Sequence, residues 1–169
     1  LYIGISGMDL DESSSLSLLF QVMESTANPD VDKPAITWSY RADGKWSKFG
    51  TESTGTDGTN GLVTSGILKL GLPTDASSTH TQLKTGLHWI RGTVERTTEQ
   101  PNTSVVSGVA DVLTVTTQAA KAVFSDAGND PNHLAQALPA ESIAKLKIKE
   151  AEVKGVAQPY ASFNGRMVE

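Results

Sequence analysis

The sequence has 169 residues with 14 Lys and Arg against 19 Asp and Glu, a formal net charge of -5, and no basic cluster, a balance that argues against a nucleic-acid partner. Its hydrophobic share is 38% and its aromatic share 6%, enough for one sizeable core built mainly from Val, Leu, Ile and Ala, while no apolar run approaches the roughly 18 residues that would span a membrane. The chain has no cysteine and only three histidines, which removes disulfide and thiolate chemistry and leaves little for a zinc site.

The chain opens at Leu1 in the strand-like "LYIGISGM" and runs to Glu169 without a charged or Gly-rich tail. It carries no signal peptide pattern and reads as an internal piece of a longer polypeptide. "LSLLFQVM" then places Leu16, Leu18, Phe20 and Val22 on one face of a strand and Ser17, Leu19, Gln21 and Met23 on the other. "ITWSY" repeats the period, with Ile36, Trp38 and Tyr40 against Thr37 and Ser39. Asp43-Gly44 follows, the residue pair a tight hairpin favours because its central positions need positive φ. The returning "KWSKF" alternates Trp46 and Lys48 against Lys45, Ser47 and Phe49.

Further along, "ILKLGL" aligns Leu68, Leu70 and Leu72, and "LHWIRGTVERT" sets Leu87 and Trp89 opposite Ile90 and Val94. The intervening "TESTGTDGTNG" and "TDASSTHT" read as loops, since their short polar side chains compete for backbone hydrogen bonds. "VLTVTTQAAKAVF" fits a strand or a helix. "NDPNHLAQAL" predicts a short helix capped by Asp130 with Pro131 at its first position. "KIKEAEVKGV" is too charged for an interior strand and reads as an edge or connector. Together these elements predict a mainly β chain: an antiparallel, jelly-roll-like β-sandwich over residues 1–110, then a small α+β C-terminal appendage over 111–169.

The chemical constellations are weak. "GISG" at residues 4–7 is not a G-x-S-x-G nucleophile elbow. Asp9, Asp11 and Glu12, and separately Asp126, Asn129, Asp130, Asn132 and His133, are oxygen-rich, but neither run has the spacing of a calcium loop. His80, His88 and His133 lack metal-ligand spacing and read as ordinary surface histidines. No catalytic residue, metal, cofactor or small-molecule substrate is expected, and no enzymatic activity.

Trp38, Tyr40, Trp46 and Trp89 are the informative side chains. Buried core, a sugar-stacking platform and a protein docking face are the three readings open to them. Alternation predicts that Trp38 and Trp89 are buried. Trp46, with Lys45, Ser47 and Lys48 around it, is expected at the rim as a partner-contact residue.

In colinear order, "LYIGISGM", "LSLLFQVME", "ITWSYRADGKWSKF", "DGTNGLVTSGILKLGLP" and "LHWIRGTVE" resemble the middle region of large baseplate-wedge proteins. These are the baseplate J-like components of contractile phage tails and related injection systems, in particular the antifeeding-prophage type. The end of the chain is similar too, with Pro159, Ser162, Gly165 and Arg166 in the places of a family stretch that leads into a following domain. The resemblance implies a structural subunit that contacts other baseplate subunits and copies of itself. It also implies assembly in the bacterial cytoplasm before incorporation into a virion-like or extracellular particle. The alternative from a different class is a carbohydrate-binding β-sandwich module of a secreted or surface protein.

Overall fold

The computed structural model describes residues 1–8, 10, 14–28, 30, 35–80, 82–94, 108–122, 125, 127–128, 130, 132 and 136–162. Eight strands follow one another among them: β1 (Tyr2–Ile5), β2 (Ser14–Met23), β3 (Ile36–Ala42), β4 (Lys45–Lys48), β5 (Thr54–Asp57), β6 (Gly66–Leu72), β7 (His88–Val94) and β8 (Asp111–Thr117). They form two antiparallel four-stranded sheets, ordered β1-β7-β3-β4 and β5-β6-β2-β8, packed as a sandwich. The alternation read from the sequence decides which side chains meet between them. Leu16, Leu18, Phe20 and Val22 of β2, with Leu68 and Leu70 of β6, join Ile5, Trp38 and Ile90 from the other sheet in one buried cluster. Phe20 and Trp38 bridge the sheets with ring centroids 5.7 Å apart. Each fully buried Leu or Phe in such a layer contributes about 1.5–3 kcal/mol.

The hairpin between β3 and β4 closes as the Asp43-Gly44 pair requires. Ala42 pairs with Lys45, and both turn residues take positive φ, 44° and 75°, the combination that matches the twist of a two-residue hairpin. Tyr40 points inward with Trp38, packing with Ala42 and Leu72 in a second cluster and against the Phe49 ring at 5.0 Å.

Three elements depart from the sequence reading. The polar stretch expected to be loop contains β5, whose four residues are all exposed; its pairing with β6 satisfies backbone groups without needing an apolar face. "VLTVTTQAAKAVF" resolves as a strand over its first part: β8 pairs with β2, with a register shift that leaves Leu113 unopposed and 51% exposed. This strand carries the first compact unit through Lys121, past the boundary expected at residue 110, because the ladder to β2 ties it to the sandwich. Finally, Trp89 lies on the outer side of β7, half-buried, while Ile90 and Gly92 face the core. The expectation that it is a core residue is thereby corrected: alternation makes Trp89 and Ile90 opposite, and the core takes Ile90.

The second unit, Ala122–Glu169, contains neither helix nor strand among its described residues. Part of the expected 129–138 helix, Pro131 included, lies outside the described residues; Asp130, Asn132 and 136–138 are in turns or irregular backbone. Asp130 Oδ1 accepts a hydrogen bond from Asn132 N at 2.8 Å, a local turn. The charged 147–156 stretch is a connector of bends, a turn and irregular backbone. Gln158 ties the unit together, its Oε1 accepting from Ile143 N and its Nε2 donating to the carbonyls of Pro139 and Tyr160. Ser162 Oγ likewise accepts from Leu138 N at 2.9 Å. Pro159 is exposed; Gly165 and Arg166 lie outside the described residues.

Candidate functional site: an arginine–aromatic layer on the outer sheet face

The outward side of the β1-β7-β3-β4 sheet collects the chemistry that the sequence scatters. Register places Tyr2 beside Arg91, Arg91 beside Ser39, and Ser39 beside Lys48, with Arg41 opposite Trp46 one row on. Period-two alternation sends Trp38 and Tyr40 into the core and leaves Arg41, Trp46 and Arg91 on this outer face. Arg91 lies over the Trp46 ring with its guanidinium carbon 4.5 Å from the centroid, and Arg41 approaches the same ring at 5.5 Å. Tyr2, 56% exposed, leans across to bring its ring within 5.7 Å of Trp46 at an inclination of 58°. Ser39, whose parity points outward, is only 2% exposed.

A guanidinium over an indole has one face shielded and can still offer its terminal Nη–H groups. The Nε atoms of Arg41 and Arg91 are buried and have no hydrogen-bond partner among the described residues. Trp46 itself is half-buried. What the sequence did not reveal is the pair of arginines on its ring; Arg91 comes from a strand far away in the chain.

The loop between β6 and β7 closes one side of this layer. An isolated bridge joins Ala42 to Ala76, Ser77 N donates to Arg41 O at 2.8 Å, and Trp89 Nε1 donates to Lys84 O at 3.0 Å. Tyr2, Arg41, Trp46, His80, Gln82 and Leu83 line a recess of about 110 Å³, well below the roughly 300 Å³ at which small-molecule pockets begin. His80 and His88 are not ordinary surface residues. His80 is buried, and its Nε2 donates to Leu87 O at 3.0 Å, so its Nδ1 carries no hydrogen in the neutral ring. His88 is half-buried with its Nδ1 unpartnered among the described residues; burial, and then the charge of His80, lower its pKa below 6.5. His133 lies outside the described residues.

Among the described residues no three His, Cys, Asp or Glu side chains form a cation site; Asp9, Asp11, Glu12, Asp126 and Asn129 lie outside them. Tyr40 donates a long hydrogen bond of 3.4 Å to Asp75 Oδ2, and its pKa is raised above 10.0 by burial and then by that carboxylate. A sugar platform needs open, coplanar rings, whereas Tyr2 and Trp46 are steeply inclined and Arg91 occupies a face of the indole.

The family model described as baseplate protein PVC11-like matches residues 1–169, the whole of the sequence. Comparison with curated protein sequences gives no match.

Proposed function

The chain belongs to the PVC11-like family of baseplate proteins, structural components of contractile injection systems, and on that premise we propose that it is a domain of a wedge-type, baseplate J-like subunit that docks on neighbouring baseplate proteins through the outer face of the β1-β7-β3-β4 sheet. The role is structural and non-enzymatic, and the protein acts as part of a phage tail-like or extracellular particle after assembly in the bacterial cytoplasm. The observation that carries the reading is the Arg41–Trp46–Arg91 stack with Tyr2 on its rim. Trp, Tyr and Arg are the residues enriched at interface hot spots, and here they cluster on the outward side of one sheet. In a symmetric particle, many copies of a modest contact add up to a firm assembly.

Trp46→Ser tests this. The substitution leaves the sandwich core intact and should preserve the far-UV circular dichroism and most of the thermal stability of the protein. Particles assembled with the variant subunit should be reduced or incomplete by electron microscopy. Normal particles, or a variant that does not fold, would each refute the assignment of this face.

A further inference from the structure

The same face specifies the chemistry of what sits on it. Arg41 and Arg91 are stacked on one indole, and among the described residues no carboxylate forms an ion pair with either guanidinium. Their Nε–H groups are buried and lack an acceptor among the described residues, so the terminal Nη–H groups are the donors that a docking partner meets. Lys48 stands in the Arg91–Ser39 row of this face, whereas Lys45, paired with Ala42, belongs to the opposite side of the edge strand. The face thus presents two neighbouring guanidinium groups in a chain whose formal net charge is -5. No small molecule of ordinary size fits the shallow recess beside it.

We propose that this surface binds an acidic protein segment, a stretch of Asp or Glu on a neighbouring baseplate component, whose carboxylates engage the N–H edges of Arg41 and Arg91 while Trp46 and Tyr2 pack against its backbone and side-chain carbons. The inference rests on the docking role proposed above and adds the partner's chemistry. A planar guanidinium held by stacking presents two parallel donors to a carboxylate, a bidentate geometry that a lysine ammonium does not reproduce. Arginine is therefore the functional choice at these two positions, and charge alone is not enough.

The test measures binding of a fluorescently labelled hexaglutamate peptide to the protein by anisotropy at low ionic strength. A single-stranded oligothymidylate and a heparin hexasaccharide serve as anions of other classes. Saturable hexaglutamate binding is expected, weakened roughly tenfold or more in R41Q/R91Q, and measurably weakened in R41K/R91K, which keeps the charge and loses the fork. Absence of saturable binding overturns the proposal, as does equal binding by the Arg→Lys variant. Tighter binding of the oligonucleotide or the heparin fragment, lost in the same variants, overturns it in favour of that polyanion. If circular dichroism shows R41Q/R91Q unfolded, the charge-conserving Arg→Lys pair decides alone. Impaired assembly of Trp46→Ser together with no hexaglutamate binding would leave the docking face standing and remove the acidic partner.

Discussion

Gly92 lies in β7 directly against the Trp38 ring: a Cβ at this position would stand 2.9 Å from Cζ3 and 3.1 Å from Cη2 of Trp38. Trp38 is itself wedged against Phe20 in the core and 8% exposed, so the ring has little room to yield. Overpacking of this kind costs about 1–3 kcal/mol. The backbone of Gly92 is not in the left-handed region, so alanine would otherwise stabilise by about 0.4–1 kcal/mol through the unfolded chain. Gly92→Ala should therefore destabilise the parent protein by a net of about 1–2 kcal/mol. Trp38→Ala removes a large buried ring and should cost about 3–5 kcal/mol. With that ring gone the alanine methyl has space, and Gly92→Ala added to Trp38→Ala should be neutral or mildly stabilising. The four proteins form a double-mutant cycle with a coupling of about 1–3 kcal/mol. Urea unfolding followed by the β signal in far-UV circular dichroism measures it, since every strand among the described residues belongs to the first unit. Equal costs of Gly92→Ala in both backgrounds would refute the packing argument, and a parent-like midpoint for Trp38→Ala would refute the core assignment.

Stability should fall with acid through His88. Its folded pKa lies below 6.5, so the unfolded chain takes up the proton first; the contribution is complete above about pH 6.5 and is lost as the pH drops through the lower folded value. His88→Gln should flatten the pH dependence of the urea midpoint between about pH 7.5 and 5, and an unchanged slope would contradict this. Asp57→Ala should cost about 1–3 kcal/mol. Its carboxylate accepts from Thr59 N at 2.7 Å, Thr59 Oγ1 at 2.6 Å and Gly61 N at 3.1 Å, and thermal melting of the variant would expose an error if it matched the parent. Millimolar Ca²⁺ should leave the melting temperature unchanged, because binding to the folded state alone would raise it in proportion to occupancy; a calcium-dependent rise would point back to the Asp126–His133 stretch.

The inward faces of β2, β3 and β6 and the turn at Asp43-Gly44 were readable from the sequence because their causes are local. Alternation of apolar and polar residues fixes which side of a strand is buried, and positive φ fixes where a two-residue turn closes. Trp46 was legible in the same way, as an aromatic on the polar side of its strand. Everything that depends on a distant partner was decided only by the tertiary structure. β5 is a strand because β6 lies beside it, although its own residues are polar. Trp89 faces outward because its neighbour Ile90 is packed in the core cluster and alternation puts the two on opposite sides of the strand. His80 is buried because its loop folds back on the carbonyl of Leu87. The stack of Arg41 and Arg91 on Trp46 exists because antiparallel pairing brings β7, β3 and β4 side by side. Sequence spacing encodes which way a side chain points, whereas which side chains it meets is set by the order of strands in the sheet, a property of long-range pairing that no single segment contains.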